Sequence, residues 1–268
     1  MSTADDKFYH AKITRREDFG HDLWMMRIQV PGEFKFAAGQ YATLGVQGLG
    51  EHGPDKRSER PYSIVSSPYE REIEFFFELV PNGELSPLLH TLQPGDEVLM
   101  RKVPEGRFTL DTGSGRRNHL LISTVPGVAP FVSYVRTLYR DWKDGKFRGE
   151  HTLFLLNGAS CSWEFGYHHE LLRVARETTW LKYVPTVSRP WDDDKWPGEK
   201  GRVDDLIRKY TDQWSLDGTN TTGYLCGHPQ MIENAKGILK RIAFAKEDLK
   251  EEVYWVPNKH AAPKSIAV

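Results

Sequence analysis

A chain of 268 residues with a net charge of -1, 39% hydrophobic and 27% charged, is long enough for two domains with buried cores and has no basic excess pointing to nucleic acid. Its two cysteines, Cys161 and Cys226, exclude a disulfide framework, a four-cysteine zinc site and a cysteine-ligated iron–sulfur cluster. A polar N-terminal stretch, and no run near the ~18 apolar residues that span a bilayer, predict a cytoplasmic protein without a membrane segment.

The first 110 residues read as strands at 8–14, 23–30, 40–46, 60–66, 73–79 and 97–103. They are rich in β-branched and aromatic residues and separated by Pro31-Gly32, Asn82-Gly83 and Pro94-Gly95. Six short strands at this spacing predict a small antiparallel barrel. Only 86–92 reads as helical, and the glycine-rich stretch 45–58 reads as a loop. Within 60–66, alternation sets Tyr62, Ile64 and Ser66 on one face and Ser63 and Val65 on the other. Arg60, a ring and a hydroxyl then lie side by side. Such a set suits a flat, phosphate-bearing ligand, with the ring stacking and the guanidinium gripping phosphate; an ordinary edge strand is the plainer reading of the same run.

At 111–118, Asp-Thr-Gly-Ser-Gly-Arg-Arg-Asn has the composition of a linker. It divides the chain into a domain at 1–112, a second at 118–256 and a C-terminal extension at 257–268. In the second domain, strands at 119–123, 152–157, 181–187, 223–226 and 252–256 alternate with helices at 128–142, 167–178, 203–210 and 229–244. That alternation predicts a doubly wound parallel sheet whose ligands sit at the carboxyl ends of its strands. Three such ends carry chemistry. Thr124-Val125-Pro126-Gly127-Val128 forms a turn into a helix start that suits a phosphate and equally a plain helix entry. Ser188-Arg189, with Arg202 thirteen residues on, suits an additional phosphate or marks solvated arginines. Cys226-Gly227-His228-Pro229 puts a thiol at a strand tip.

Arg60-Pro61-Tyr62-Ser63, Gly83-Glu84-Leu85-Ser86, Gly106-Arg107-Phe108, Gly127-Val128-Ala129-Pro130-Phe131, Val187-Ser188-Arg189, Cys226-Gly227-His228-Pro229-Gln230-Met231 and Glu252-Val253-Tyr254-Trp255 follow one another along the chain. In order and spacing this set resembles the ferredoxin–NADP⁺ reductase family, most closely its bacterial ferredoxin/flavodoxin branch, from about residue 7 to 255. The resemblance implies an N-terminal FAD-binding β-barrel and a C-terminal NADP-binding α/β domain, with electrons passing from NADPH through FAD to ferredoxin or flavodoxin. It implies FAD contacts at Arg60, Pro61, Tyr62, Ser63, Gly83, Leu85, Ser86, Tyr254 and Trp255. NADP contacts follow at Thr124, Gly127, Ser188, Arg189, Arg202, Cys226 and Gly227. Ser63, Cys226 and Glu252 would position the reacting groups, with Glu252 as proton relay and Tyr254 as a ring that must move to admit nicotinamide; no metal is implied.

The chain departs from the family pattern in three places. Val125-Pro126-Gly127 stands where Gly-Thr-Gly is usual. Ser160, followed by Cys161, stands where bacterial relatives often have an arginine for the 2′-phosphate, and the 257–268 extension passes the usual end. Lys56, Arg57, Arg101, Lys102 and Arg107 would supply a basic face for an acidic electron acceptor. Two other readings use the same domains: the reductase component of an oxygenase system, and an FAD-binding electron-transfer subunit of a larger complex.

Overall fold

The computed structural model describes residues 7–47 and 57–254. Lys56, Trp255 and the 257–268 extension lie outside the described residues. Strands β1 (Phe8–Asp18), β2 (Leu23–Gln29), β3 (Tyr41–Gln47), β4 (Arg57–Ser63), β5 (Ile73–Glu78) and β6 (Glu97–Arg101) form one antiparallel sheet in the order β4-β3-β6-β1-β2-β5. A bridge between Ile64 and Phe75 joins its two outer strands, so the sheet curls into a near-closed barrel. Helix α1 (Ser86–Thr91) follows β5.

β2 and β5 are buried on both faces, and the period of two explains how. Trp24, Met26 and Ile28 of β2, with Phe75 and Phe77 of β5, fill the barrel. The intervening Leu23, Met25 and Phe76 point outward into a second cluster that belongs mainly to the other half of the chain. Strands buried on both faces therefore mark the wall on which the second domain docks.

That second domain is a parallel sheet of β7 (Asn118–Thr124), β8 (Thr152–Ala159), β9 (Leu181–Val187), β10 (Glu199–Lys200), β11 (Thr221–Gly227) and β12 (Leu249–Val253), in the order β10-β9-β8-β7-β11-β12. Helices α2 (Ala129–Lys143) and α3 (His168–Glu177) cover one face and α4 (Ile207–Gln213) and α5 (Pro229–Arg241) the other. Leu121, Leu153, Leu155 and Tyr224 face α2, while Leu120, Ile122, Leu156 and Leu225 face α5. The strand order reverses between β7 and β11, which opens a crevice at their carboxyl ends.

Four expectations need correction. β4 ends at Ser63, three residues early, so its two-face alternation does not reach Ser66. Ile64, Val65 and Ser66 are all buried, Ile64 in the barrel and Val65 against the second domain, while Ser66 Oγ accepts the Glu74 N–H and donates to Glu72 O. β1 runs on to Asp18 through charged residues that pair with β2 but face solvent. The last strand is Leu249–Val253, because Leu249 to Glu252 take the register opposite Gly223 to Cys226. Finally, 203–210 is a 3₁₀ turn at Val203–Leu206 followed by α4.

Helix α2 joins the halves, buried on all sides from Ala129 to Val135. Ser133 Oγ donates to Ser66 O at 2.7 Å, and Arg136 reaches three carboxylates. Its Nε and Nη2 bind Glu170 of α3 bidentately at 2.8 and 2.9 Å, and Nη1 lies 3.1 Å from Glu74 of the barrel. Glu74 is 1% exposed because it shares the outward face of β5 with Phe76, and Arg27 from the matching face of β2 holds its other oxygen at 2.6 Å. Burial opposes the charge on Arg136, yet these carboxylates raise its pKa and keep it charged. No helix among the described residues is long and apolar enough to cross a membrane.

Candidate active site between the two sheets

The structure brings Ser63, Cys226, Glu252 and Tyr254 together across the domain boundary. Ser63, last residue of β4 and 4% exposed, donates its hydroxyl to Glu252 Oε2 at 3.1 Å. Glu252 stands opposite Cys226 in the β11–β12 register, and the Tyr254 N–H donates to Gly227 O at 3.4 Å. Burial pushes the Glu252 carboxyl up to about 7, opposed by the Ser63 hydrogen bond. Burial, with Glu252 beside it, also raises the thiol of fully buried Cys226 well above its usual value, which makes it a neutral polar group rather than a thiolate. The Tyr254 hydroxyl is buried beside Ser63 and Cys226 without a well-formed hydrogen bond, and its pKa is driven up by burial, then by Cys226, with Ser63 opposing. An orphaned hydroxyl beside a proton-holding carboxyl, at a strand tip, marks a site shaped for a polar ligand edge.

A second group lies along β4 and the turn before α1. Arg60 is exposed, with Nη2 on Glu84 Oε2 at 2.9 Å and Nη1 on Glu59 O at 2.7 Å. Pro61 is exposed beside it, and half-buried Tyr62 sets its ring edge on Phe77 at 4.9 Å; burial raises the Tyr62 pKa, with Arg60 opposing. The Gly83 N–H donates to Val80 O at 2.8 Å, Ser86 Oγ accepts the Val80 N–H at 3.0 Å, and Leu85 is buried at the helix start. An exposed guanidinium and a ring on one strand fit a flavin dinucleotide, while in the turn opposite the Gly83 N–H and the Ser86 hydroxyl are engaged with Val80. Glu84 would compete for Arg60 with any such ligand.

At the crevice, Thr124 Oγ1 accepts the His228 N–H at 2.9 Å, tying the ends of β7 and β11 together. The Val125–Gly127 turn spends its own donors: Val125 N–H on Gly158 O, Gly127 N–H on Thr124 O and Ala129 N–H on Pro126 O. Pro126 and Pro130 have none. What the turn needs from glycine is room, since a Cβ on Gly127 would lie 2.3 Å from Cys226 O and 2.7 Å from Gly227 Cα. Gly227, at φ +132, is pressed against Thr124 Oγ1 in the same way. Gly127→Ala is expected to cost about 2 kcal/mol or more of stability, read as a lower urea midpoint; an unchanged midpoint would show that the two strand tips can part freely.

Ser188 and Arg189 follow β9, their N–H groups donating to Ala159 O and Ser160 O, both at 2.9 Å. Arg189 is exposed, whereas Arg202 is held by Asp204 at 3.2 Å. These residues form a third group at the ends of β8 and β9. Sequence reading missed Tyr41 and the role of Gly106. Tyr41 pairs with Ser63 across β3–β4, and a Cβ on Gly106 would lie 2.9 Å from the Tyr41 ring and 3.6 Å from Glu252 Oε1. An aromatic residue directly across from the Ser63 position was the available signal. Of the proposed basic face, Arg101 is paired with Glu59 at 2.8 Å, Lys102 lies over the Tyr9 ring and Arg107 is exposed; Lys56 and the Arg57 side chain lie outside what is described.

Two families match this arrangement in chain order: an oxidoreductase FAD-binding domain over residues 10–110 and an oxidoreductase NAD-binding domain over 121–237. The chain is 33% identical over 125 residues to a flavodoxin/ferredoxin–NADP reductase of Escherichia coli strain K12, a match covering 47% of this chain and 48% of that one, so it spans about half the length of that relative. It is 28% identical over 222 residues to a ferredoxin–NADP reductase of Pseudomonas aeruginosa, covering 78% and 80%. The crystal structure of a ferredoxin–NADP⁺ reductase from Neisseria gonorrhoeae with bound FAD and NADP superposes with a TM-score of 0.78 at 23% identity, over 93% of this chain and 99% of that one.

Proposed function

We propose that this chain, which carries an oxidoreductase FAD-binding domain followed by an oxidoreductase NAD-binding domain and resembles ferredoxin–NADP reductases, is an FAD-dependent reductase passing electrons between NADPH and a ferredoxin or flavodoxin. The observation that carries this reading is the Ser63–Glu252 hydrogen bond, which joins β4 of the barrel to the parallel sheet beside Cys226. On this reading the FAD unit occupies 1–112, the NADP unit 118–256, and 257–268 is an extension beyond them.

FAD supplies the chemistry that neither partner has, taking electrons as a hydride and releasing them singly. The chain's residues bind, orient and manage protons. Arg60, with Pro61 and Tyr62 beside it and the Gly83–Leu85–Ser86 turn opposite, would hold the dinucleotide, and Tyr254 would cover its ring. Thr124, Gly127 and Gly227 shape the crevice for nicotinamide, and Ser188, Arg189 and Arg202 take the adenosine end. Ser63, neutral Cys226 and Glu252 line the reacting edge, where a carboxyl held near pH 7 can give or take a proton in either direction. Tyr254 moves aside to admit nicotinamide.

Arg60→Ala is expected to weaken FAD binding about 10- to 100-fold through loss of a charged hydrogen-bonding group, and Glu84→Gln to tighten it by releasing Arg60. Equilibrium dialysis of flavin checks both; equal affinity in all three proteins would remove Arg60 from the site. The function itself is tested by NADPH-driven reduction of a purified ferredoxin and a purified flavodoxin. Reduction of at least one is expected. Dye reduction without reduction of either would contradict the acceptor assignment.

A further inference from the structure

The loops after β8 and β9 carry more negative charge than a pocket for a 2′-phosphate should. The Ser160 N–H donates to Glu164 Oε2 at 2.6 Å and the Ser162 N–H to Asp193 Oδ2 at 2.7 Å. The two backbone donors at the end of β8 are thus already filled by carboxylates, one from its own loop and one from the loop after β9. The loops are stitched together by Ser188 N–H to Ala159 O and Arg189 N–H to Ser160 O, and Gly201 N–H to Val187 O at 2.8 Å brings Arg202 alongside.

Against these carboxylates stand two arginines of unequal use. Arg189 is exposed and makes no ion pair among the described residues. Arg202 gives its Nε to Asp204, which is 5% exposed and fixed by Asn234 Nδ2 at 2.7 Å, so this guanidinium is half spent. A phosphate monoester needs N–H donors and net positive charge. A ribose hydroxyl is itself a donor, and a carboxylate is its natural acceptor.

We propose that Glu164 and Asp193 set the nucleotide preference of this site, holding it close to even between a 2′-phosphate and a 2′-hydroxyl. This rests on the reductase reading and on the adenosine end of the nucleotide lying between Ser160, Arg189 and Arg202. Arg189 attracts the phosphate; Glu164 and Asp193 cancel most of that attraction and accept from the hydroxyl.

The test uses the flavin-loaded protein and the variants Glu164→Gln and Asp193→Asn, whose amide oxygens still accept the Ser160 and Ser162 N–H groups and so preserve the loop. Calorimetric affinities for adenosine 2′,5′-bisphosphate and 5′-AMP are measured beside kcat/KM for NADPH and NADH. In the native protein both ratios are expected to lie within about tenfold of unity. Each variant is expected to strengthen bisphosphate binding about three- to tenfold and to weaken 5′-AMP binding slightly, an amide oxygen being a poorer acceptor for the ribose hydroxyl than a carboxylate, and Arg189→Ala to weaken bisphosphate binding by a similar factor. A native preference for the bisphosphate above about a hundredfold, or ratios unmoved in both carboxylate variants, would overturn the proposal. Should neither nucleotide reduce the flavin, the reductase reading falls, and the two adenosine ligands still decide this one.

Discussion

Replacing Glu252 by glutamine is expected to lower NADPH-driven turnover by about a hundredfold and, at the same time, to stabilise the protein above pH 7. The first effect follows from position and proton affinity. Glu252 is the titratable group that Ser63 touches across the domain boundary, and burial holds its carboxyl near 7, where gain and loss of a proton are nearly balanced. Glutamine keeps an acceptor for the Ser63 hydroxyl and cannot move a proton. The second effect follows from linkage. A carboxyl raised from 4.5 to about 7 on folding binds its proton more tightly in the native state. Stability is therefore greatest below the unfolded value, falls as pH rises from about 4.5 to 7, and carries the whole cost of about 3 kcal/mol above that. Urea midpoints of the native protein should decline across this window, and those of Glu252→Gln should decline less. A variant with full turnover, or matched pH profiles of stability, would remove Glu252 from the role assigned to it.

Arg136→Met is expected to cost about 3–5 kcal/mol of stability. The methionine stem retains much of the packing over the Tyr167 ring, which the guanidinium carbon overlies at 5.4 Å, so the loss isolates the charge. Without it Glu170 loses a bidentate partner and Glu74, 1% exposed, keeps only Arg27. At the joint between the domains Glu170 would then be partly buried without an ion-pair partner and Glu74 would be only half compensated, by Arg27. Burial already raises the Glu70 carboxyl, with Arg136 as the chief influence restraining it, so this third acid would protonate more readily in the variant. Adding Glu74→Gln should return part of the stability, because removing both partners leaves fewer orphaned charges than removing one. Denaturant unfolding reads both variants; a loss below about 1 kcal/mol for Arg136→Met would show that water reaches the cluster.

The barrel and the parallel sheet were legible because each carries its own hydrophobic rhythm: short runs with turn glycines in the first 110 residues, strand–helix alternation beyond. The meeting of Ser63, Cys226 and Glu252 was available only through motif order, since their numbers are far apart and no local pattern links them. The Arg136 cluster was hidden for a related reason. Glu74 sits among Phe75, Phe76 and Phe77, and only the outward phase it shares with Phe76 reveals that it meets a cation from another domain. The end of β4 was placed late because Ile64, Val65 and Ser66 still look like strand; their three buried destinations, a barrel, a second domain and a turn, are tertiary facts. At the crevice, Gly127 read as a place for phosphate to approach, whereas the space it leaves is taken up by the β11 backbone. Glu164, between Trp163 and Phe165, and Asp193, within Asp192-Asp193-Asp194, gave no signal, because what matters is the backbone N–H each one caps.

The most direct measurement of the central claim is anaerobic stopped-flow mixing of the flavin-loaded protein with NADPH while flavin absorbance is followed. Fast, complete bleaching is predicted, with a rate constant that falls about a hundredfold in Glu252→Gln while FAD stays bound. A protein that holds FAD but is not bleached by NADPH or NADH would contradict the account, and would leave the Ser63–Glu252 contact as a structural joint between two domains.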